Sequence, residues 1–372
     1  MNKMLSKLLN PKKKIAGLDI GTTTVKFMEI EGDSLENCKI VNYAIEQIPP
    51  NYISSEGKIS DIEGMAEIIR KCYEKSGSNV KNVAISLPTS GVIYKKVIIP
   101  IFDNEEDLNI QIENEITKYF PEGMTLEEVM IDYYTIGPNE QNPIENDTIL
   151  IAAKKKSIEE KLAMVEMAGL TPVIIDVEHY SLQNMLKVML KESFNTNTIL
   201  LLDCSANIMR IVAFKNGELI YLKDAEIGGN ELSKNIAANL GIENFAEIEK
   251  MKIEKTEKTN NETYKLIEKN FLINYASEFY RTCNFFTQMT TISKVDEIIL
   301  TGGVANMEGI EEYFRQVIVE NKAEYIFPNP QVARVSKLLM KSNKISLTKL
   351  NRDDAGLFLV SSLAIRQFIR QY

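Results

Sequence analysis

Histidine is nearly absent from this chain of 372 residues, with His179 standing alone. Cysteine is scarce as well: Cys38, Cys72, Cys204 and Cys283 lie far apart and form no Cys-x-x-Cys pair. These spacings exclude a recognisable zinc motif or disulfide framework and point to reduced thiols. A single imidazole with no partner identifiable in the sequence reads as a packed or surface residue, so His179 receives no catalytic role. Long apolar runs are missing too. Although 44% of residues are hydrophobic, none of the runs approaches the roughly 20 residues that cross a bilayer, and the N-terminus lacks the apolar core of a secretory signal. Positive charge is not in excess: the formal net charge is −9, which argues against a nucleic-acid partner.

What the chain does have is a phosphate-like turn. Lys14 to Lys26 joins an apolar strand to Asp19-Ile20-Gly21-Thr22-Thr23-Thr24 and then to a second strand. Gly21 lets the backbone approach an anion, the amides and hydroxyls of Thr22, Thr23 and Thr24 can donate to phosphate oxygens, and Asp19 can hold Mg²⁺ through water. Gly and Thr also occur in hairpins for conformational reasons alone. The turn gains weight because the pattern recurs: an apolar strand from Ile199, an acid at Asp203, the turn Ser205-Ala206-Asn207, and a returning strand Met209 to Phe214. Two such units half a chain apart predict two domains facing each other across a cleft, each contributing a carboxylate. A further strand, Ile298 to Thr301, ends in Gly302-Gly303, which leaves room for a flat ring. Glu247 and Lys250, three apart on one helix face, are candidates to grip a ribose and purine, a solvated ion pair being the plainer alternative.

These elements, in this order, resemble the actin-like ATPase superfamily, and the text around them is similar to the PilM family of type IV pilus assembly proteins, relatives of the division protein FtsA. Ala84 to Pro88, Glu113 to Ile116 with Tyr119 to Pro121, Leu150 to Lys154, Ala168 to Pro172 running into Asp176-Val177-Glu178, and Ile227 to Leu232 carry the likeness. It implies an α/β, two-lobed actin-like fold, a duplicated RNase H-like unit with an FtsA/PilM-type 1C subdomain. Subdomain 1A would span 1–81 with 173–197 and the C-terminal helix 353–372; 1C, 82–172; 2A, 198–228 and 290–352; 2B, 229–289. The implied cofactors are ATP and Mg²⁺. Gly21 to Thr24 and Ser205, Ala206 and Asn207 would lie near the phosphates, Gly302 and Gly303 at the adenosine, with Lys26, Gly228 and Gly229 also binding the cofactor, and Asp19 and Asp203 would orient the hydrated metal. Glu178, opening a helix, could orient an attacking water; a carboxylate favourably placed against the helix dipole is the alternative. At most a slow ATPase is implied. The usual second turn of the family, Asp-Ile-Gly, is here Asp203-Cys204-Ser205. If that backbone needs a positive φ, Ser costs of order 1 kcal/mol and weakens nucleotide binding, which makes a scaffold without ATP conceivable.

The resemblance further implies a cytoplasmic protein at the inner face of the cell membrane, held there by partners. These are the N-terminal tail of PilN, bound as an extended peptide in a groove between 1A and 1C, and other pilus platform or motor components. Self-association is common in the superfamily but not readable here. FtsA-like proteins usually continue beyond the last core helix into an amphipathic membrane helix. This chain ends six residues after Arg366, which favours the pilus role over cell division. A small-molecule kinase is the remaining alternative, with neither acceptor pocket nor catalytic base identifiable. Met1 to Leu9, with Lys12 to Lys14 after it, could touch an anionic membrane surface or form a local tail.

Periodicity predicts a helix from Asp61 to Glu74 with a Ser60/Glu63 capping box, strands Val80 to Leu87 and Val92 to Ile98, and a helix Glu105 to Tyr119. Strands Met130 to Ile136 and Thr148 to Ala153 follow, then a helix Ile158 to Ala168 capped by Ser157 with Glu160, a strand Val173 to Val177 and a helix from Tyr180 to Leu190. Lys255 to Asn261 reads as an exposed, flexible loop, and Asn139 to Asn146 as a solvated one.

Overall fold

The computed structural model describes residues 14–50, 52–53, 59–254, 257–343 and 345–369, so the N-terminal expectation on Met1 to Leu9 lies outside the described residues. The first lobe starts with β1 (Ala16–Ile20), β2 (Thr24–Glu31) and β3 (Lys39–Gln47), joined as antiparallel neighbours. Helix α1 (Ile62–Ser76) follows. Its cap is Asp61 rather than Ser60: the Asp61 carboxylate accepts from the Gly64 amide at 2.8 Å. A charged acceptor one residue nearer the apolar stripe satisfies the same orphan amides and also suits the helix dipole. The chain then forms β4 (Asn82–Leu87), which pairs in parallel with β1.

A separate small sheet follows, built from β5 (Val92–Pro100), β6 (Val129–Pro138) and β7 (Glu145–Lys154) in the order β5-β7-β6, with α2 (Glu105–Thr117) against one face. Helix α3 (Lys155–Met167) begins as β7 ends, so Ser157 falls in its first turn and the expected Ser157 cap is not made; Lys154 occupies that position without a side-chain bond. β8 (Thr171–Val177) pairs with β4, and α4 (Glu178–Leu190) leaves its end directly. Because β4 bonds both β1 and β8, residues 82–87 belong to the first lobe's sheet. The inserted sheet therefore begins after Leu87, not at residue 82.

The second lobe repeats the first. β9 (Thr198–Cys204), β10 (Met209–Lys215) and β11 (Glu218–Ala225) form the antiparallel ladder. After α5 (Gly229–Leu240), α6 (Phe245–Ile253) and α7 (Glu262–Met289), the strand β12 (Glu297–Thr301) pairs in parallel with β9. Helix α8 (Ile310–Glu320) and β13 (Gln331–Val332) complete the unit. The two sheets share matching five-strand blocks, β3-β2-β1-β4-β8 and β11-β10-β9-β12-β13, with the same strand senses throughout. Residues 257–260 form a short 3-10 turn with Thr259 buried, and Asn261 caps α7, so part of the expected loop is ordered against the core. The chain closes with α9 (Val335–Leu338), β14 (Met340–Lys341), α10 (Leu347–Asp353) and α11 (Phe358–Ala364). β14 crosses back to pair with β3, although residues 290–352 were expected wholly in the second lobe.

The apolar cores hold this frame together. Met28, Ile40, Leu182 and Phe358 share one apolar cluster with Ile199, Leu201 and Phe214, so α4 and α11 are sandwiched between the two sheets. Burying such side chains contributes about 1.5–3 kcal/mol each, which ties the lobes at their base. On the far side of the second sheet, α7 and α8 join through stacked Phe279 and Phe314, 4.3 Å between ring centres. That cluster also holds Leu200, Leu202 and Met209, so residues 229–289 share the second lobe's core. All four cysteines are buried and free.

Candidate functional site

Both repeats open with an acidic hairpin. Antiparallel register places Asp19 opposite Lys26 and Asp203 opposite Arg210. The turns match as well: the Gly21 amide donates to the Thr24 carbonyl at 3.1 Å, and the Ser205 amide donates to the Ile208 carbonyl at 3.0 Å. Lys26 Nζ donates to Asp19 at 2.8 Å. Burial opposes the charge on Lys26, but Asp19 and then Asp203 outweigh it, and the ammonium's pKa is raised. Asp203 is pushed up, first by burial and further by the like charge of Asp19, against the pull of Arg210 and a bond from Ser205. The two carboxylates thus lie near enough to act on each other and on one ammonium.

The backbone near Asp203 is shaped for close approach. β12 runs parallel to β9 with Thr301 level with Asp203, and Gly302 follows at φ +88°. A Cβ at Gly302 would stand 2.4 Å from the Cys204 carbonyl oxygen and 2.8 Å from an Asp203 oxygen, so only glycine fits. Beside Gly303 a Cβ would meet nothing within 4 Å. Gly228 abuts Ala206, where a Cβ would come within 2.3 Å of the carbonyl oxygen. The Gly229 and Asn230 amides donate to the carbonyls of Ser205 and Ala206, at 3.1 and 2.8 Å. Ser205, Ala206 and Asn207 therefore form one wall with Gly228 and Gly229, and Ala206, Asn207 and Gly228 line a small cavity there with Glu231. Ser205 does not take a positive φ, so the expected strain cost is not incurred; its hydroxyl instead donates to Asp203 at 2.9 Å. Thr22, Thr23 and Thr24 show no side-chain hydrogen bond among the described residues, leaving three hydroxyls at the first turn available to a ligand.

Two expected residues make ion pairs of their own. Glu247 pairs with Lys258, and Lys250 sits 3.8 Å from Glu254 on the exposed side of α6. With 3.6 residues per turn, these flank one side of the buried Ile248 and Met251 while Glu249 and Lys252 flank the other. It is Lys252 that approaches the glycine pair, donating to the Gly229 carbonyl at 3.1 Å and to Ser233 at 2.8 Å.

Glu178 is committed to an ion pair across the lobes. It accepts from Arg210, whose guanidinium also holds both oxygens of Asp224 at 2.7 and 3.0 Å, and it accepts the Thr89 amide at 3.3 Å. Burial raises the pKa of Glu178 and Arg210 opposes this. The next residue, His179, faces the inserted sheet: its Nδ1 lies 3.2 Å from the Thr89 hydroxyl, and its ring meets Tyr94 edge-on at 5.0 Å. Arg210 escaped the sequence reading, although a basic residue seven positions after the acid in both repeats is a usable signal. Thr89 and Tyr94 carry no such signal, because their roles arise from chain segments about 90 residues apart.

Burial, reinforced by Arg210, lowers the His179 pKa to about 4. The unfolded chain, with an ordinary imidazole near 6.5, binds more protons than the folded one between those values, so stability falls as pH drops through that window, by about 3 kcal/mol if fully developed. His179→Gln should flatten this part of the stability profile in urea unfolding at pH 7 and pH 5. An unchanged profile would show that the imidazole is not the responsible group.

The duplicated five-stranded units, each carrying an acidic hairpin, define an actin-like fold. The chain belongs to the family described as type IV pilus assembly protein PilM, whose model matches residues 17–368. Among solved structures, a PilM-PilN type IV pilus biogenesis complex matches at 18% identity, covering 97% of this chain and 100% of that one, with a TM-score of 0.78. The ethanolamine utilization protein EutJ from Carboxydothermus hydrogenoformans matches at 14% identity over 98% of this chain and 96% of that one, TM-score 0.55. MreB5 of Spiroplasma citri bound to AMPPNP matches at 12% identity over 95% and 96%, TM-score 0.50. No helix among the described residues is long and apolar enough to cross a membrane.

Proposed function

We propose that this protein is an ATP-binding actin-like component of the pilus assembly platform that binds the N-terminal tail of PilN and relays its nucleotide state. One observation carries the reading: Asp19 and Asp203, from separate repeats, flank Lys26 beside the open backbone at Gly303. The residues fit Mg-ATP. Two hard carboxylates suit a hydrated Mg²⁺, a metal that keeps several waters and is bound through few protein ligands. Gly21 and the unbonded hydroxyls of Thr22, Thr23 and Thr24 would hold phosphates, with Lys26 beside them. Ser205, Ala206 and Asn207 with Gly228 and Gly229 would do so from the second lobe. Gly302 and Gly303 would border the adenosine. When bound, the metal would screen the phosphate charge. Glu247 and Lys250 are engaged in ion pairs with Lys258 and Glu254, and Glu178, held by Arg210, serves the lobe contact first, so turnover is at most slow. A ligand touching both hairpins stabilises the closed cleft by its extra contacts there.

The partner groove follows from the inserted sheet. At its near end Val92 and Ala153 pack on Leu87 and Ile158 of the first lobe. Further along the same face, Ile98 and Tyr134 are half exposed, while Tyr94 packs on His179 and Tyr180 at the start of α4. An extended peptide can lie between this face and α4 with its side chains entering alternate pockets. Glu178 and His179, neighbours on one helix turn, connect the cleft to that groove. The neighbouring membrane would be reached through partners, at its cytoplasmic face.

The test is a titration with a synthetic peptide of the first dozen or so residues of the cognate PilN, with and without Mg-ATP. Saturable binding, weakened in Tyr134→Ala and shifted by nucleotide, is the expected result. Folded protein that shows no saturable binding overturns the partner assignment.

A further inference from the structure

Lys161 lies on α3, outside every motif considered above, yet its side chain reaches the cleft. Its Nζ donates to the Ser86 carbonyl at 2.6 Å. The parallel register of β1 with β4 pairs Ala16 with Val83 and Gly17 with Ala84, so Asp19 falls level with Ser86 one strand away. On the other side Ser86 pairs with Asp176, two residues before Glu178. The ammonium therefore sits at the carboxyl ends of the parallel strands, where ligands of open α/β sheets bind.

Its charge is poorly matched by protein. Lys26 is neutralised by Asp19, and Arg210 by Asp224 and Glu178. No carboxylate lies within ion-pair distance of Lys161 among the described residues, and its direct partner is a neutral carbonyl. Burial lowers its pKa, only partly offset by Glu178 and then Asp19. The residue nevertheless keeps some solvent exposure, as a group lining a cleft does and a sealed core lysine does not. A desolvated ammonium without a counter-ion is costly, and an anion delivered to the cleft relieves that cost.

We propose that Lys161 is a phosphate-binding residue that contacts the terminal phosphate of the nucleotide and so favours triphosphate over diphosphate. The inference rests on the nucleotide reading above. The orientation follows from the layout: the adenosine border at Gly302 and Gly303 belongs to the second lobe, whereas Lys161 lies beyond β1, on the side of Glu178. The bound phosphate chain would run from the one towards the other.

The experiment measures Mg-ATPγS and Mg-ADP affinities by calorimetry, with melting temperatures, for wild type, Lys161→Met and Lys161→Arg. Expected for Lys161→Met is a loss of about tenfold or more for Mg-ATPγS, less than about twofold for Mg-ADP, and an apo melting temperature that is unchanged or higher, since a buried charge has been removed. Lys161→Arg should retain most of the preference for triphosphate. Equal affinities in wild type and Lys161→Met overturn the proposal. So does an equal loss for both nucleotides accompanied by a lower melting temperature, which would make Lys161 a strap for β4. If folded wild type binds neither nucleotide, the nucleotide reading itself fails, a result distinct from both.

Discussion

Asp203→Asn is expected to weaken Mg-ATP binding by about a hundredfold while raising the stability of the nucleotide-free protein. The substitution keeps the shape of the side chain, and an amide oxygen can still accept from Ser205. What it removes is charge. Asp203 is titrated upward by burial first and by Asp19 as well, so its ionised form is disfavoured in the fold. A raised carboxyl pKa means that the folded state holds its proton more tightly than the unfolded chain does. Asp203 therefore favours folding only as pH falls, and at pH 7 it opposes folding. Removing the charge abolishes that penalty and at the same time deletes one of the two carboxylates proposed above to hold the hydrated metal. Calorimetric titration with Mg-ATP and a thermal melt without nucleotide read the two effects separately. Asp19→Asn separates the repeats: it also leaves Lys26 without its direct partner, so affinity and apo stability should fall together. Wild-type affinity in Asp203→Asn would remove the metal role from this carboxylate.

Arg210→Ala is the second large effect, expected to lower stability by about 3–5 kcal/mol. The guanidinium is 3% exposed and bonds Asp224 through two nitrogens while reaching Glu178 from the other lobe. Its deletion leaves two carboxylates facing each other in the cleft and cuts a direct polar link between the lobes. Glu178→Gln alone removes a charge whose pKa burial has already raised, so it should cost much less. In a double-mutant cycle the pair should be strongly non-additive, since Glu178→Gln removes part of what makes Arg210→Ala costly. Melting temperatures of the four proteins test this; additive shifts would show that the two groups act independently. Because Glu178 also accepts the Thr89 amide, Arg210→Ala should in addition alter the affinity for the PilN peptide if that peptide binds where proposed above.

Much of this architecture is written locally. The strand, acid, turn and returning strand of each repeat are fixed by alternating apolar residues and by turn chemistry within about a dozen positions, and both hairpins occur where that pattern places them. Helix starts were less legible. Asp61 displaced Ser60, and α3 began three residues before its expected start, since whether a strand ends before a helix depends on pairing with a distant partner. The same limit moved β4 into the first sheet. Its assignment depends on β1 and β8, and the latter enters only after the inserted module.

At the site, the glycines and acids were readable because each answers a local demand: a close backbone approach at Gly302, a carboxylate at a strand end at Asp19 and Asp203. Among the cations, Lys26 was legible from its place on the strand returning from Asp19; the others were not. On α6, the sequence offers Glu247 and Lys250 as readily as Glu249 and Lys252, and only packing of Ile248 and Met251 onto the core chooses which flank meets Gly229. Arg210 reaching Glu178, and Lys161 reaching Ser86, join segments 32 and 75 residues apart. The sequence alone thus determined the duplicated frame and its acidic jaws, because periodicity and turn preference act over a few residues. Which long, flexible basic side chains reach the cleft was decided by tertiary structure, because it depends on how helices rotate against sheets that form elsewhere in the chain.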